Sequence, residues 1–558
     1  MKAAVFAAGY RERLLSFEGL FLLILLATII LRFYTLDLKL FHHDEAIHAW
    51  FSYRLLTEGT YTYDPMYHGP FLYYTTAGIF SLLGDSDLVG RLFPALLGTL
   101  LVPLVYLIYR LGYLDKKQTI VAALFLAVSP NMVYFSRFLR NDIFIAFFTM
   151  VLLVALLYYF ERHKVQYALI AGAAIGFGMS AKENMPIIVL IFGAYLLYLV
   201  WTGKVRLPKR WIRDLVLGAL VAVGIMAVFY SSFGAHPEVL MDGWLRAIEH
   251  WTSMHQAQRL GGPPYFYILL FLLYEVPILI LAVVGVLQFV DIPGIVSRWR
   301  ERRTGHVESP GETEGAEEKT VPDVAAPPVP KAEGWNTRLR EILSGSGELR
   351  PVDRQKEFAR FAIFWMLLSL AVYAYLGEKV PWLILHQLLP MIFVAVYMMT
   401  TRKAAIAVVA SVFLIVMTLH VAFTPADINE PIVQVQNSED LREVFAKIDA
   451  ADKVAIATDS YWPLPWYYRG DRASKLSYYS QKVSEPTIYG GNFDLVITHD
   501  ADTYPTLDGY VKETYRLNYW FSYEENKDRL LEYYFLRDGK VGSRNLEVFS
   551  RVPTGTTA

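Results

Sequence analysis

The stretch FHHDEAIHAWFSYRLL (Phe41–Leu56) follows the first long apolar run of the chain and decides how the rest is interpreted. It places two adjacent acids, Asp44 and Glu45, among three histidines where a membrane protein would be leaving the bilayer. Ionisable side chains at membrane depth are costly and usually face a cavity. The stretch is therefore either an acidic polar loop or part of a functional site, and the surrounding segments decide between the two.

The composition is that of an integral membrane protein. Of the 558 residues, 54% are hydrophobic and 19% are charged, and the mean hydropathy is +0.32. Apolar runs of about 18 residues or more, long enough to cross a hydrocarbon core, recur along the chain. Cysteine is absent, so neither a disulfide nor a thiolate metal site can form. The sequence contains no nucleic-acid motif, and the expected surroundings are membrane lipids.

Eleven segments are predicted to span the membrane, and we expect the first to be an uncleaved signal-anchor. They lie near residues 17–34, 88–109, 119–135, 142–160, 166–181, 185–202, 213–233, 265–290, 359–376, 381–399 and 404–423. The apolar piece Phe71–Gly84 would reach only about 21 Å as a helix, so it is predicted to be juxtamembrane or re-entrant. Excluding it places the basic segments on the side of the N-terminus, as the positive-inside rule requires. The N-terminus is therefore predicted to be cytoplasmic and the C-terminus extracytoplasmic.

The spans predict a mainly helical polytopic membrane protein that ends in an α/β domain. We assign residues 1–300 to a transmembrane domain with its first outer loop at 35–87, 301–357 to a disordered cytoplasmic insertion, 358–424 to the last transmembrane helices, and 425–558 to an extracytoplasmic α/β domain. The insertion is rich in Glu and Pro and lacks aromatic residues from Glu308 to Gly334. In the last domain, Lys453–Thr458 and Phe493–His499 predict buried strands, and Ser438–Ile448 predicts an amphipathic helix.

The order of the outer motifs resembles that of the GT-C glycosyltransferase superfamily. The Asp-Glu pair, HGPFLYY (His68–Tyr74) and LLGDSDLVGRLFPALLG (Leu82–Gly98) are similar to the protein O-mannosyltransferase and aminoarabinose-transferase type. GEKVPWL (Gly377–Leu383) and the outward C-terminal domain resemble the flippase activity-associated family of archaea and some bacteria. The resemblance covers about residues 15–400. One departure is His68-Gly69-Pro70 in place of Lys-Pro-Pro, which removes a permanent cation and leaves the donor undetermined.

This resemblance implies a GT-C fold and inverting transfer of a sugar from a polyprenyl monophosphate to an acceptor hydroxyl on the outer face. It implies Asp44 as the general base, for which partial burial is expected to raise the pKa. Glu45 is a second acid or orients the loop. The cations expected at the leaving phosphate are Arg137, Arg140, Lys182 and Lys379, and the supporting residues are His48, His68, Arg91, Asp142 and His386.

Alternatives exist for single residues of this set. His48 lies one helical turn after Asp44, where it would hydrogen-bond the carboxylate. Asp44 would otherwise serve as a helix N-cap. His42, His43 and His48 offer a metal site, which is not favoured because HHDEAIH differs from HExxH. No cofactor is expected, since the resemblance is to enzymes that generally do not need a metal.

The function predicted from the resemblance is therefore a membrane glycosyltransferase. Its partners would be a polyprenyl-phosphate sugar donor and a protein, glycan or lipid acceptor. The alternatives are a flippase for lipid-linked sugars and an accessory protein that binds them without transfer. Transporters tend to contain inverted repeats and midplane charges. Here the charges lie at the outer ends of spans and no repeat is visible, which favours the enzyme.

Overall fold

The computed structural model describes residues 16–59, 61–257, 262–291 and 350–552. Within these ranges the chain is mainly helical, with one β-sheet near the C-terminus. The predicted insertion covers residues 301–357, and its residues 301–349 lie outside the described ranges. The helix that follows begins at Arg354, inside the range assigned to the insertion.

The helical part contains helices for each predicted span. They are α1 (Phe17–Phe33), α2 (His43–Glu58), α3 (Phe71–Leu83), α4 (Asp87–Arg110), α5 (Lys116–Val128), α6 (Pro130–Ser136), α7 (Asn141–Arg162), α8 (Val165–Ala181), α9 (Met185–Trp201), α10 (Trp211–Tyr230), α11 (Val239–Ala257), α12 (Phe266–Tyr274), α13 (Val276–Val290), α14 (Arg354–Tyr375), α15 (Leu385–Ala395) and α16 (Thr401–Phe423). The thirteen-residue α3 is as short as its sequence predicts.

Five of the described helices are long and apolar enough to cross a membrane, namely α4, α7, α10, α14 and α16. The number rises to seven if the bent pairs α5–α6 and α12–α13 each count as one span. The protein is thus an integral membrane protein, but the predicted count of eleven spans is not confirmed. Helices such as α8 and α9, with 17 residues each, are apolar but shorter than the length criterion.

The two bent pairs meet at their breaks. The α5–α6 pair bends by 55° around Ser129, and the α12–α13 pair bends by 112° around Glu275. A proline follows within two residues of each break, and a proline removes a backbone donor and disfavours a continuous helix. The Ser129 hydroxyl donates to Glu275 Oε1 over 2.6 Å, and the Asn131 backbone N–H donates to the same oxygen over 3.1 Å. The second bond satisfies a backbone N–H at the start of α6 that has no partner within the helix.

The C-terminal domain contains a six-stranded mixed sheet in the order β1-β5-β6-β4-β2-β3. Its elements are β1 (Gln436–Asn437), α17 (Leu441–Ala450), β2 (Val454–Ile456), α18 (Leu464–Tyr467), β3 (Leu476–Tyr478), α19 (Glu485–Gly491), β4 (Leu495–His499), β5 (Tyr510–Phe521), α20 (Tyr523–Asn526), α21 (Leu530–Leu536) and β6 (Val541–Arg551). Strand β2 pairs in parallel with β3 on one side and with β4 on the other, and the other pairings are antiparallel. The two predicted strands and the predicted helix are confirmed as β2, β4 and α17.

This domain is tied to the start of α2 and of α4. Asp87, in the first turn of α4, accepts hydrogen bonds from Trp466 Nε1 over 2.7 Å and from the Tyr467 hydroxyl over 2.6 Å. The Tyr467 hydroxyl lies 2.9 Å from the Phe41 backbone N–H, which donates to it. The Asn437 amide donates to the Phe41 carbonyl over 2.7 Å. The C-terminal domain therefore helps to place the residues immediately before Asp44.

Candidate active site

The backbone around Asp44 is held by a reciprocal cap at the start of α2. His42 is the N-cap, and its Nδ1 accepts from the Asp44 backbone N–H over 3.1 Å. The Glu45 carboxylate accepts in return from the His42 backbone N–H over 2.9 Å. This arrangement satisfies donors that a helix start would otherwise leave unpaired. The N-cap alternative for Asp44 is wrong, because His42 has that role and the Asp44 carboxylate is available for other contacts.

Glu45 is a buried anchor of this loop. Its side chain is 1% exposed and forms an ion pair with Arg91 on α4, with Nη2 to Oε2 at 2.6 Å and Nε to Oε1 at 2.8 Å. The Leu139 backbone N–H donates to Glu45 Oε1 over 2.8 Å. Arg91 also donates to the carbonyls of Leu36 and Lys39. With its oxygens occupied by protein donors, Glu45 is placed to orient the loop.

A line of alternating charges runs from Asp44 into the helices. Asp44, with a side chain 27% exposed, forms an ion pair with Arg140 at the start of α7. Arg140 Nε lies 3.5 Å from Asp142 Oδ2. The Lys182 ammonium, at the end of α8, donates to both Asp142 oxygens over 2.8 and 2.9 Å. Four residues from three separate stretches of sequence thus form one contiguous cluster.

Arg140 is also held by an aromatic ring. Its guanidinium carbon lies 3.7 Å from the ring centroid of Trp382, which follows α14. Stacking of this kind combines cation–π attraction with a fixed guanidinium plane. The segment GEKVPWL therefore reaches the site through Trp382, and α15, which follows it, reaches the site through His386. His386 Nε2 lies 3.3 Å from Asp142 Oδ1 and 2.8 Å from the Asn184 amide nitrogen.

The charge state of Asp44 differs from the expectation. Burial raises the pKa of Asp44, but the positive charge of the Arg140 guanidinium opposes it, and the net effect is a decrease. The resulting pKa lies well below the usual range for a carboxyl group. The prediction of a raised pKa is wrong because the sequence does not reveal the ion pair. Asp44 is therefore a carboxylate throughout the physiological pH range.

The family model described as dolichyl-phosphate-mannose-protein mannosyltransferase matches residues 67–230, which hold Arg140, Asp142 and Lys182. The structure of ArnT from Cupriavidus metallidurans bound to undecaprenyl phosphate aligns with a TM-score of 0.55 at 14% identity, over 94% of this chain and 97% of that chain. This chain has the GT-C fold.

Other GT-C structures align less closely. An oligosaccharyltransferase of Archaeoglobus fulgidus in the apo form has a TM-score of 0.45 at 15% identity, over 86% of this chain and 69% of that chain. The S. cerevisiae protein O-mannosyltransferase Pmt1-Pmt2 complex bound to the sugar donor has a TM-score of 0.34 at 21% identity, over 41% of this chain and 34% of that chain. No curated protein matches this chain in sequence.

Within the GT-C framework, His48 and His68 lie beside the charged cluster and not on Asp44. His48 Nδ1 lies 2.8 Å from the Tyr73 hydroxyl, which in turn donates to the Tyr67 carbonyl. The His48 ring nitrogens make no hydrogen bond to Asp44 among the described residues, so the predicted contact is wrong. Burial and the Arg140 charge lower the pKa of His48 well below its usual value. The ring is therefore neutral near pH 7, and its buried Nε2 has no partner within the described structure.

His68 belongs to a second group that includes a residue missed from the sequence. Its Nδ1 lies 3.0 Å from Glu183 Oε2, and its ring stacks on Trp251 with centroids 5.3 Å apart. The next residue, Gly69, approaches the end of α8 so closely that an added Cβ would lie 2.2 Å from the Ser180 carbonyl oxygen. This contact brings His68 next to Lys182. Glu183 could have been identified from the sequence because it directly follows Lys182 in SAKEN (Ser180–Asn184).

Two of the four predicted phosphate-binding cations have other partners. Arg137 donates to carbonyls at the end of α1, including Tyr34 over 2.6 Å and Thr35 over 2.7 Å. The Lys379 ammonium donates to carbonyls at the end of α14, including Tyr373 over 3.1 Å. Lys379 lines an apolar cavity of about 540 Å³ between α12 and the C-terminal domain, and neither Asp44 nor Lys182 lines that cavity. The GT-C fold thus brings together Arg140 and Lys182 but not Arg137 and Lys379.

The histidines of the alternative metal site are engaged by protein groups. Each ring nitrogen of His42 already has a protein partner. Nδ1 contacts the Asp44 backbone N–H, and Nε2 contacts the Gln434 carbonyl oxygen. Across the described ranges, no three side chains of the ligand type His, Cys, Asp or Glu are grouped so that they could hold a metal ion. The set His42, His43 and His48 therefore does not assemble as a ligand triad.

Proposed function

We propose that this protein is an inverting glycosyltransferase that moves a sugar from a polyprenyl-phosphate donor to an acceptor hydroxyl, with Asp44 as the general base. The observation that carries the proposal is the cluster Asp44–Arg140–Asp142–Lys182, which places a partly exposed carboxylate beside two buried cations. A base next to a cationic phosphate site is what this reaction requires. The GT-C fold supports the same chemistry.

In the proposed reaction, the acceptor oxygen attacks the anomeric carbon while its proton passes to an Asp44 oxygen. The bond between the anomeric carbon and the phosphate oxygen breaks, and the polyprenyl phosphate departs with the electron pair. Attack opposite the leaving group inverts the anomeric centre. Because its pKa is low, Asp44 is ready to accept the proton without first being deprotonated. Glu45 orients the loop through its ion pair with Arg91.

Arg140 links donor binding to the base in this proposal. It is shared between Asp44 and Asp142 in the structure. A donor phosphate would attract the guanidinium through charge-assisted hydrogen bonds. As Arg140 moves toward the phosphate, its ion pair with Asp44 weakens. The pKa of Asp44 then rises, and the carboxylate becomes a stronger base. Lys182, positioned by Asp142, supplies the second positive charge.

The remaining features of the proposal concern the substrates and the membrane. The matched family description names dolichyl-phosphate mannose and a protein acceptor, which supports a polyprenyl-phosphate hexose donor and a protein, glycan or lipid acceptor. We place the site and the C-terminal domain on the extracytoplasmic side, as the positive-inside rule predicts. No metal is assigned to the reaction, because Arg140 and Lys182 supply the charge at the phosphate.

A donor panel tests this function. Purified full-length protein in liposomes is offered radiolabelled sugars on polyprenyl monophosphates, together with membrane extract as the source of acceptors. We expect transfer from at least one monophosphate donor and none from the matching sugar nucleotide. Donor binding without transfer across the panel would support an accessory protein, and movement of donor between leaflets without transfer would support a flippase.

A further inference from the structure

Helix α11 has three different faces, and the first packs on the protein. Val239, Gly243 and Ala247 are buried. They follow one another at intervals of four residues, so they lie on the same side of the helix. One turn farther along this side, Trp251 stacks on His68 with ring centroids 5.3 Å apart. This inner face therefore attaches α11 to the candidate active site.

The second face of α11 is apolar and exposed. Met241, Leu245 and Ile248 are 84%, 62% and 60% exposed. They follow one another at intervals of four and three residues and so form one stripe along the helix. Trp244 belongs to the same stripe, and its ring contacts that of Tyr230 at the end of α10, with centroids 5.9 Å apart. We call these four residues of α11 the apolar stripe.

Charged and polar side chains occupy the third face. Asp242, Arg246, Glu249 and Ser253 follow one another at intervals of three or four residues. Asp242 and Arg246 form an ion pair on this face, with Oδ1 and Nη2 3.1 Å apart. A helix whose exposed surface is divided into an apolar and a charged part is typical of the interface between a membrane and water. The two exposed faces of α11 therefore suit two different surroundings.

The neighbouring helix α10 indicates what meets the apolar stripe. It is one of the helices long and apolar enough to cross a membrane, and only 17% of its apolar segment is buried inside the protein. Its exposed side chains, such as Leu220 and Val223, therefore face lipid. Phe233, between α10 and α11, is exposed as well. The lipid-facing surface of α10 thus continues through Phe233 toward the apolar stripe.

We propose that α11 is an interfacial helix that binds the bilayer surface on the side of the candidate active site. The apolar stripe inserts at the boundary between head groups and acyl chains, and the charged face remains in water. Trp244 suits this depth, since Trp is enriched at the head-group level. Because Trp251 on the inner face stacks on His68, the bilayer surface also supports one side of the candidate active site. The assignment is independent of the proposed transferase activity.

Spin labels on the full-length protein test the assignment. The chain contains no cysteine, so one introduced cysteine gives a single labelled site. Ile248→Cys on the apolar stripe is compared with Glu249→Cys on the charged face, in liposomes of phosphatidylcholine and phosphatidylglycerol. Collisions of each label with oxygen, which concentrates in hydrocarbon, and with a water-soluble nickel chelate are measured by electron paramagnetic resonance.

We expect the ratio of oxygen to nickel collisions to be several-fold higher at Ile248→Cys than at Glu249→Cys. The depth calculated for the Ile248→Cys label should lie about 5 to 10 Å below the head-group boundary. Val409→Cys serves as the reference for a lipid-facing label, because Val409 is 73% exposed on the membrane-spanning helix α16.

A charge placed on the apolar stripe gives a second test. Leu245→Glu should lower the oxygen-to-nickel ratio of a label at Met241→Cys several-fold, whereas Ser253→Glu on the charged face should leave that ratio unchanged. Both substitutions are at exposed positions, so the variants should elute as the folded protein. An unchanged ratio in Leu245→Glu would overturn the proposal.

Two results at Ile248→Cys would also overturn it. Nickel collisions as frequent as those at Glu249→Cys would show that the apolar stripe lies in water. Rare collisions with both reagents would show that a protein surface, such as a second copy of this chain, covers the stripe.

Discussion

The Asp44 carboxylate forms an ion pair with the Arg140 guanidinium across the junction of α2 and α7. The two residues of this pair lie 96 positions apart in the sequence. The pair also explains why Asp44 is a carboxylate although it is largely buried.

Arg140→Gln should shift the acid limb of the pH–rate profile to higher pH. In the wild type, Arg140 keeps the pKa of Asp44 well below its usual range, so the base is ionised in mildly acidic solution. Without the guanidinium, burial remains and raises the pKa of Asp44, so the base becomes protonated at a higher pH. We expect a shift of about one pH unit or more in the residual transfer activity. Arg54→Gln, which breaks the exposed Arg54–Glu58 pair on α2, is the control. Superimposable acid limbs would show that Asp44 is not the titrating base.

Lys182→Met should reduce transfer by about 100-fold or more, the usual cost of removing a group that stabilises a developing charge. Lys182 contacts Asp142 within the cluster. Lys379→Met should reduce the rate much less, because the Lys379 ammonium caps carbonyls at the end of α14. Its main effect should be a lower thermal midpoint. Steady-state kinetics on both variants distinguish a lysine that acts on the donor phosphate from one that stabilises a helix end. A loss of rate in Lys379→Met equal to that in Lys182→Met would show that Lys379 also acts on the donor phosphate.

Glu45→Gln should destabilise the fold, because it leaves the Arg91 guanidinium buried without its counter-charge. Arg91 is 5% exposed and Glu45 is 1% exposed. Removing one partner of a buried pair typically costs about 3 to 5 kcal/mol of unfolding free energy. Thermal unfolding in detergent measures the effect, with Glu58→Gln on the same helix as the exposed control. If the two variants unfold at the same temperature, the pair does not stabilise the loop.

His42 makes stability depend on pH. Burial lowers the pKa of His42 to about 4, whereas an imidazole in the unfolded chain titrates near pH 6.5. The unfolded state therefore binds the proton more readily. The contribution of His42 is complete above about pH 6.5 and is lost as the pH falls toward 4, by about 3 kcal/mol in total. His42→Asn keeps a good N-cap but cannot titrate in this range. Its thermal midpoint should fall less than that of the wild type between pH 7 and pH 5, and a parallel fall would contradict this assignment.

The sequence predicts which segments contribute to the site better than it predicts the contacts. Arg140, Asp142 and Lys182 were identifiable because each lies at the end of an apolar run. Their mutual contacts depend on how α7 and α8 pack, which no local pattern encodes. For the same reason Arg137 and Lys379 could not be distinguished from Arg140 and Lys182. All four are cations at span ends, and only the fold shows which of them cap helix carbonyls.

The same limit applies to the spans. Hydropathy located the helices, but it did not show that α5–α6 and α12–α13 bend sharply at Ser129 and Glu275. A proline near each break was visible in the sequence. The hydrogen bond that joins the two breaks, between Ser129 and Glu275, connects residues 146 positions apart and was not visible in the sequence. Similarly, β2 and β4 were predictable as short apolar runs, whereas the long strands β5 and β6, which contain several charged residues, were not identified.

The most direct test of the proposed function compares Asp44→Asn with Glu58→Gln in single-turnover transfer from a bound polyprenyl-phosphate sugar. Glu58 is on the same helix, and its side chain is 47% exposed and remote from the cluster. We expect Asp44→Asn to bind the donor with an affinity near that of the wild type and to lose transfer, while Glu58→Gln transfers normally. Transfer by Asp44→Asn at the wild-type rate would contradict the assignment of Asp44 as the catalytic base.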